Sequence, residues 1–108
     1  MNFYPLEDIS RISEGYLKCF AVAGQDMLLV HSGGQTRLIP NRCPHDGSPL
    51  KKGRLTNGCI QCPKHKITFR LDNGEPLGGE AVADISPLAR YELVEEGGKV
   101  GIWVNSVS

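Results

Sequence analysis

The chain has 108 residues, 40% of them apolar, and twelve basic side chains balance twelve acidic ones to a formal charge of zero. That size allows one domain with one modest core and excludes a disordered polar chain. No apolar run approaches the roughly 18–20 residues needed to span a bilayer.

The opening residues, MNFYPLEDISRISEGY, lack the basic-then-apolar order of a secretory signal, so a cytoplasmic location is expected. Thiols there stay reduced. Cys19, Cys43, Cys59 and Cys62 therefore point to metal or redox chemistry over disulfides.

In chain order, the first strand signal is LKCFAVAG, 17–24, followed by DMLLVHS, 26–32. Gly33-Gly34 then separates the second run from QTRLIP. Two apolar runs flanking Gly-Gly predict a β-hairpin, because both glycines tolerate positive φ. Residues 41–65 show weak periodicity and many turn formers, among them Pro44, Gly47, Pro49, Gly53, Asn57, Gly58 and Pro63. KITFRL, 66–71, alternates as a strand, and Asp72-Asn73-Gly74 supplies the turn after it. Residues 74–88 read as a loop. ARYELVEE (89–96) and KVGIWV (99–104) flank Gly97-Gly98 as a closing hairpin. No stretch has a convincing helical period, and there is no internal repeat or linker. The fold class expected is all-β, a small antiparallel sandwich or barrel forming a single domain over 1–108.

The neutral total hides an uneven distribution. Residues 42–70 carry seven basic side chains (Arg42, Lys51, Lys52, Arg54, Lys64, Lys66, Arg70) against Asp46 alone. Residues 71–108 carry two basic and seven acidic side chains.

The glycine-rich middle also holds the chemistry. Cys43-x-His45 is followed, sixteen residues on, by Cys62-x-x-His65. Each pair offers one thiolate and one imidazole on a tight turn, with a proline directly after the cysteine. Two thiolates and two imidazoles make a full tetrahedral zinc set. They are also the ligand set of a [2Fe–2S] cluster in which two cysteines hold one iron and two histidines the other. Zinc fingers group their cysteines together and their histidines together. Here each turn supplies one of each, which fits a two-iron centre with unlike ends.

The stretches CPHDGSPL and CPKHKITF, with this spacing, resemble the Rieske domain over nearly the whole chain. Within that family the size and the lack of an anchor or catalytic domain resemble the soluble Rieske-type ferredoxins. The resemblance implies a β-sandwich base with a small cluster-binding subdomain, its loops within about 42–70. It implies one [2Fe–2S] cluster held by Cys43, His45, Cys62 and His65. It further implies a one-electron carrier without catalysis of its own, passing electrons from a ferredoxin reductase to a terminal oxygenase. A small Rieske subunit of a nitrite reductase-like complex, serving its large subunit, is the alternative within the family. A structural zinc module is the alternative outside it.

Respiratory members tie their loops with a disulfide, and the matching positions here are Ser48 and Lys64. Those members also place a serine and a tyrosine near the cluster sulfurs, where this chain has Ile67 and Phe69. Fewer donors to sulfur stabilise the reduced state less. The reduction potential is therefore expected nearer ~−150 mV than ~+300 mV, the ends of the Rieske range. Lys66 stands where most relatives have glycine. The basic segment is expected to stabilise the charge of the reduced state and to steer an acidic partner toward the histidine edge. Gly47 and Pro63 are expected to shape the loops, and 76–88 to cover a third side.

The remaining candidates have plainer readings. Cys59-x-x-Cys62 is a legitimate metal spacing, but Cys59 reads as a strand residue packed near the cluster. Cys19 reads as a buried core thiol, His31 as a surface residue without a partner, and Tyr91 and Trp103 as core or edge packing. A Cys43–His45 catalytic dyad would leave the second pair unexplained. The basic run lacks interleaved aromatics, and the pI is near 6.8, so nucleic acid is not expected.

Overall fold

In the computed structural model, the described residues are 2–22, 24–45, 47–64, 67–77 and 85–104. They form ten strands in three antiparallel sheets, with one 3-10 turn at Ile9–Arg11. The strands are β1 (Asn2–Asp8), β2 (Leu17–Val22), β3 (Gln25–Ser32), β4 (Gln35–Pro40), β5 (Arg54–Thr56), β6 (Cys59–Gln61), β7 (Thr68–Arg70), β8 (Pro76–Leu77), β9 (Val94–Glu96) and β10 (Lys99–Val104). The sheet orders are β1-β10-β9, β2-β3-β4 and β5-β6-β7-β8. The expected all-β class holds.

The second sheet lies between the other two, and the sequence of β3 shows why. Met27, Leu28, Leu29 and Val30 are all buried in succession. Successive side chains of a strand point to opposite faces, so such a run needs cover on both sides. Met27 and Leu29 join Val22, Leu38 and Val100 in one core, with Leu6 and Ile102 of the first sheet packed against it. Leu28 and Val30 join Ile39, Ile60, Phe69 and both Cys43 and Cys62 in the other. The first two sheets thus form the base, and the third carries the site.

Three hairpins turn on the same chemistry. Gly33-Gly34, Asn57-Gly58 and Gly97-Gly98 all have positive φ, the backbone that two-residue hairpins favour. The first and third were expected. The Asn57-Gly58 hairpin, joining β5 and β6 inside the stretch read as irregular, was not. β1 was also unexpected: NFYPLED does not alternate cleanly, and its pairing with β10 shifts register between Pro5 and Glu7. Proline is tolerated there because β1 is an edge strand. Two expected strands are shorter than foreseen, β7 starting at Thr68 and β9 at Val94, with Tyr91 making only an isolated bridge to Leu38.

The third sheet is latched to the base at two of these turns. The Ser32 hydroxyl, fully buried, donates to Glu14 Oε2 at 2.8 Å and accepts from the Gly58 N–H at 3.1 Å. Gly33 N–H donates to Glu14 Oε1 at 2.9 Å. Arg37 Nε donates to the Leu71 carbonyl at 3.0 Å. The turns approach so closely that a Cβ on Gly33 would lie 2.7 Å from the Gly58 nitrogen. A Cβ on Gly34 would meet nothing within 4 Å.

In the base, the Tyr16 hydroxyl donates to Glu7 Oε2 at 2.7 Å. This bond holds the Glu7 carboxyl below its ordinary 4.5, while burial, reinforced by the same bond, pushes the Tyr16 hydroxyl up.

Two outcomes follow. Gly34→Ala should cost about 1–2 kcal/mol from its left-handed backbone alone, whereas Gly33→Ala should cost clearly more and loosen the third sheet; paired thermal melts would show it. The contribution of Glu7 is in place above its unfolded value of 4.5 and is lost as pH falls through its lower folded value. A melting series against pH should therefore drop on the acid side, and Tyr16→Phe should make that drop shallower.

Candidate metal centre

Two loops leave the sheets in the same way. Cys43 follows β4 after Asn41 and Arg42, and its N–H donates to the Ser48 carbonyl at 2.7 Å. Cys62 follows β6 directly, and its N–H donates to the Ile67 carbonyl at 2.8 Å. In both, the cysteine amide reaches the carbonyl five positions later, so each loop is closed at its cysteine. The first is tightened further by Gly47 N–H donating to the Cys43 carbonyl at 2.8 Å. Gly47 meets that bond with a φ of 81°, which a glycine adopts without steric cost. Pro44 and Pro63, next to the cysteines, fix φ at the first step of each turn.

The closure puts the sulfurs inside. Cys43 is 2% exposed and Cys62 is fully buried. Both belong to one apolar group with Leu50, Ile60, Phe69, Leu71 and Leu88, against which Ile67 packs. None of the four cysteines forms a disulfide, so neither loop is stapled. His45 is exposed at the surface two residues beyond Cys43. It shares the wall of an open groove of about 800 Å³ with Cys43, Pro44, Pro87 and Tyr91.

Of the four expected ligands, the structure therefore brings the two thiols into one core and leaves His45 at its rim. His65 lies outside the described residues, as do Asp46, Lys66 and the 78–84 part of the segment expected to cover the site. Pro87 places the end of that segment beside Cys43 and His45. Among the described residues no group of three or more His, Cys, Asp or Glu is gathered for a metal ion. The donor set of two buried thiols opening toward a surface imidazole nevertheless fits a centre with a sulfur end inside and a nitrogen end outside. Phe69, fully buried, and Ile67 bring no side-chain hydrogen-bond donor into that core.

Three expectations need correction. Cys19 is exposed, not buried: β2 is an edge strand, and the core around the cysteines reaches Leu17 but not Cys19. His31 is half-buried with a partner, its Nδ1 lying 2.7 Å from Thr36 Oγ1 across the hairpin. Cys59 is a strand residue as expected, but it pairs across from Arg70 and lies outside the core that holds Cys43 and Cys62. Trp103 is 46% exposed on β10 and packs edge-on against Phe3 of β1, with centroids 6.0 Å apart.

One residue important to the site was not foreseen. Asn41, 9% exposed, accepts through Oδ1 from the Leu50 N–H at 2.7 Å and the Lys51 N–H at 2.9 Å. Its own N–H donates to the Asp26 carbonyl. Asn41 thereby ties both ends of the Cys43 loop to the base. An asparagine at a strand end is a turn signal by its side-chain acceptor, and that signal was present in NRCPH.

Comparison with known proteins agrees with this geometry. A sequence model of the Rieske [2Fe–2S] domain family matches residues 2–92. The methanesulfonate monooxygenase ferredoxin subunit of Methylosulfonomonas methylovora is 32% identical over 101 residues, covering 93% of this chain and 79% of that protein. The ferredoxin of carbazole 1,9a-dioxygenase from Nocardioides aromaticivorans IC177 has the same fold, with a TM-score of 0.78 at 22% identity, covering 94% of this chain and 96% of that one. A chain from the reduced complex between oxygenase and ferredoxin in carbazole 1,9a-dioxygenase matches at TM-score 0.79 and 27% identity, covering 98% of this chain but 29% of that one. Several curated relatives are much longer, and the chain spans only 11–22% of their length.

Asn41→Ala leaves one buried and one partly buried N–H without their acceptor and should cost about 1–3 kcal/mol. Asn41→Asp keeps the acceptor and should lose less. Thermal midpoints of the two variants, compared with the parent, check this ordering.

Proposed function

Because the chain belongs to the Rieske [2Fe–2S] domain family, we propose that Cys43 and Cys62 hold one iron of its cluster as thiolates and that His45 and His65 hold the other through imidazole nitrogen. The family's cofactor is one [2Fe–2S] cluster, which supplies a couple that exchanges one electron at a time. The observation that carries the assignment is the pair of buried thiols, Cys43 and Cys62, at the necks of two identically closed loops.

The chain is read as one domain over 1–108 whose role is electron transfer without catalysis of its own. It takes an electron from a ferredoxin reductase and delivers it to a terminal oxygenase. The relative named as a monooxygenase ferredoxin subunit, matched over 79% of its length, supports this role. Among the described residues no helix is long and apolar enough to cross a membrane, and the cytoplasm is the proposed location. Burial of the thiols keeps the sulfur side dry, and exposure of His45 makes the imidazole side the face at which a partner approaches.

The dithionite-reduced protein should give the paramagnetic resonance signal of a mixed-ligand two-iron centre, and His65→Ala should abolish or rewrite it. Stoichiometric zinc without acid-labile sulfide, or an unchanged spectrum in the variant, would overturn the assignment. A redox titration at neutral pH should place the midpoint nearer ~−150 mV than ~+300 mV. Ile67→Ser should raise it, since one added hydrogen bond is worth about 1 kcal/mol, or ~40 mV for one electron.

A further inference from the structure

Residues 50–53 form a tight turn beside the Cys43 loop. Gly53 N–H donates to the Leu50 carbonyl at 2.8 Å, which places Lys51 and Lys52 at the two central positions. Leu50 is fully buried in the core that holds both cysteines. Asn41 Oδ1 accepts from the N–H groups of Leu50 and Lys51. Gly53 is seated so closely that a Cβ there would lie 2.5 Å from the Gln61 carbonyl oxygen. The turn is thus pinned before, within and after its tip, while both lysine side chains are exposed.

Ten of the cations among the described residues divide into two kinds. Among the described residues, Arg11, Lys18, Arg70 and Lys99 lie against carboxylates. Arg37 and Arg90 donate to backbone carbonyls. Arg42, Lys51, Lys52 and Arg54 are exposed and have no such contact among the described residues. Arg42, Lys51 and Lys52 fall on the one connection that also carries Cys43 and His45, and Arg54 opens the strand β5 that follows it. A charge pinned by its backbone and left without an internal partner loses little freedom when an external one arrives.

We propose that the Lys51-Lys52 turn, flanked by Arg42 and Arg54, is the docking surface for a carboxylate-rich face of the protein that exchanges electrons with this chain. The proposal rests on the electron-carrier reading and adds the chemistry of the partner and the side of the site it meets. The partner approaches over the first loop, with Asn41 as the positioning residue that holds the turn beside it. A protein surface fits better than nucleic acid, because the patch offers no aromatic side chain on which a base would stack.

Two measurements on the cluster-loaded protein test this. In the first, the reduced protein is oxidised by ferricyanide, each anion taking one electron to become ferrocyanide, and separately by the cationic tris(phenanthroline)cobalt(III), which takes one electron to become cobalt(II). The ferricyanide rate should fall with ionic strength although the chain has no net charge. K51Q/K52Q should lower it roughly threefold to tenfold at low salt and should raise the rate with the cobalt complex. R11Q/K99Q removes as much charge from the base and should change either rate by less than roughly twofold. In the second, fluorescence anisotropy follows a labelled decaglutamate peptide, which should bind in a salt-sensitive way to the parent and to R11Q/K99Q but not to K51Q/K52Q. Equal behaviour of the two double variants in both measurements would overturn the proposal, as would tighter binding of decathymidylate than of decaglutamate. Loss of the two-iron resonance signal would overturn the electron-carrier reading instead, and the peptide measurement would still decide the patch.

Discussion

A thiolate that is to hold a metal must be kept from water, yet its loop must come to the surface if an electron is to leave. The bond from each cysteine amide to the carbonyl five residues on meets both demands. It closes the loop at its neck, so the sulfur stays in the core while His45, Pro63 and Lys64 are exposed. His45 follows Cys43 by two positions and is already exposed. Neutral thiols sit in an apolar core without penalty, but burial raises the cost of a thiolate, so two thiolates share one apolar pocket only when a cation neutralises them.

The closure works only if the loops are anchored, and the two-sheet base supplies the anchor. A middle sheet covered on both faces turns β3 into a fixed spine, since shifting it by one residue would exchange its two cores. From that spine Ser32 reaches the Asn57-Gly58 turn, and Asn41, at the end of the neighbouring strand, reaches Leu50 and Lys51. Two short polar side chains thus carry the position of the base into the subdomain. Glycine at 33 is needed because a side chain there would occupy the place of the opposing turn.

The parts of this arrangement that were legible in the sequence are those set by local rules. Gly-Gly between apolar runs specifies hairpins, and a proline after each cysteine marks the turns that close at Cys43 and Cys62. The parts that were not legible depend on distant partners. β1 has no clear period because it is a proline-bearing edge strand whose identity comes from β10. Cys19 sits in an apolar run and is exposed only because the third sheet stops short of it. The Asn57-Gly58 hairpin was legible by the same rule as its two counterparts, but its strands of three residues are too short to show a period. The role of Asn41 is a long-range bond from a single side chain, which no spacing announces.

Two influences act on the charge that reduction adds, and screening ranks them. An exposed cation a few ångströms away contributes about 1 kcal/mol in water, or ~40 mV for one electron, and salt screens it beyond roughly 10 Å. A hydrogen bond to sulfur is worth about as much, ~40 mV, but salt does not screen it, so a donor at the sulfur outranks an exposed lysine at a distance. Phe69 and Ile67 in the core therefore outweigh Lys51 and Lys52 at the surface. The same ranking gives the lysines a second effect. A carboxylate face that covered them, as proposed for the partner, would remove their small stabilisation of the reduced state and so favour release of the electron.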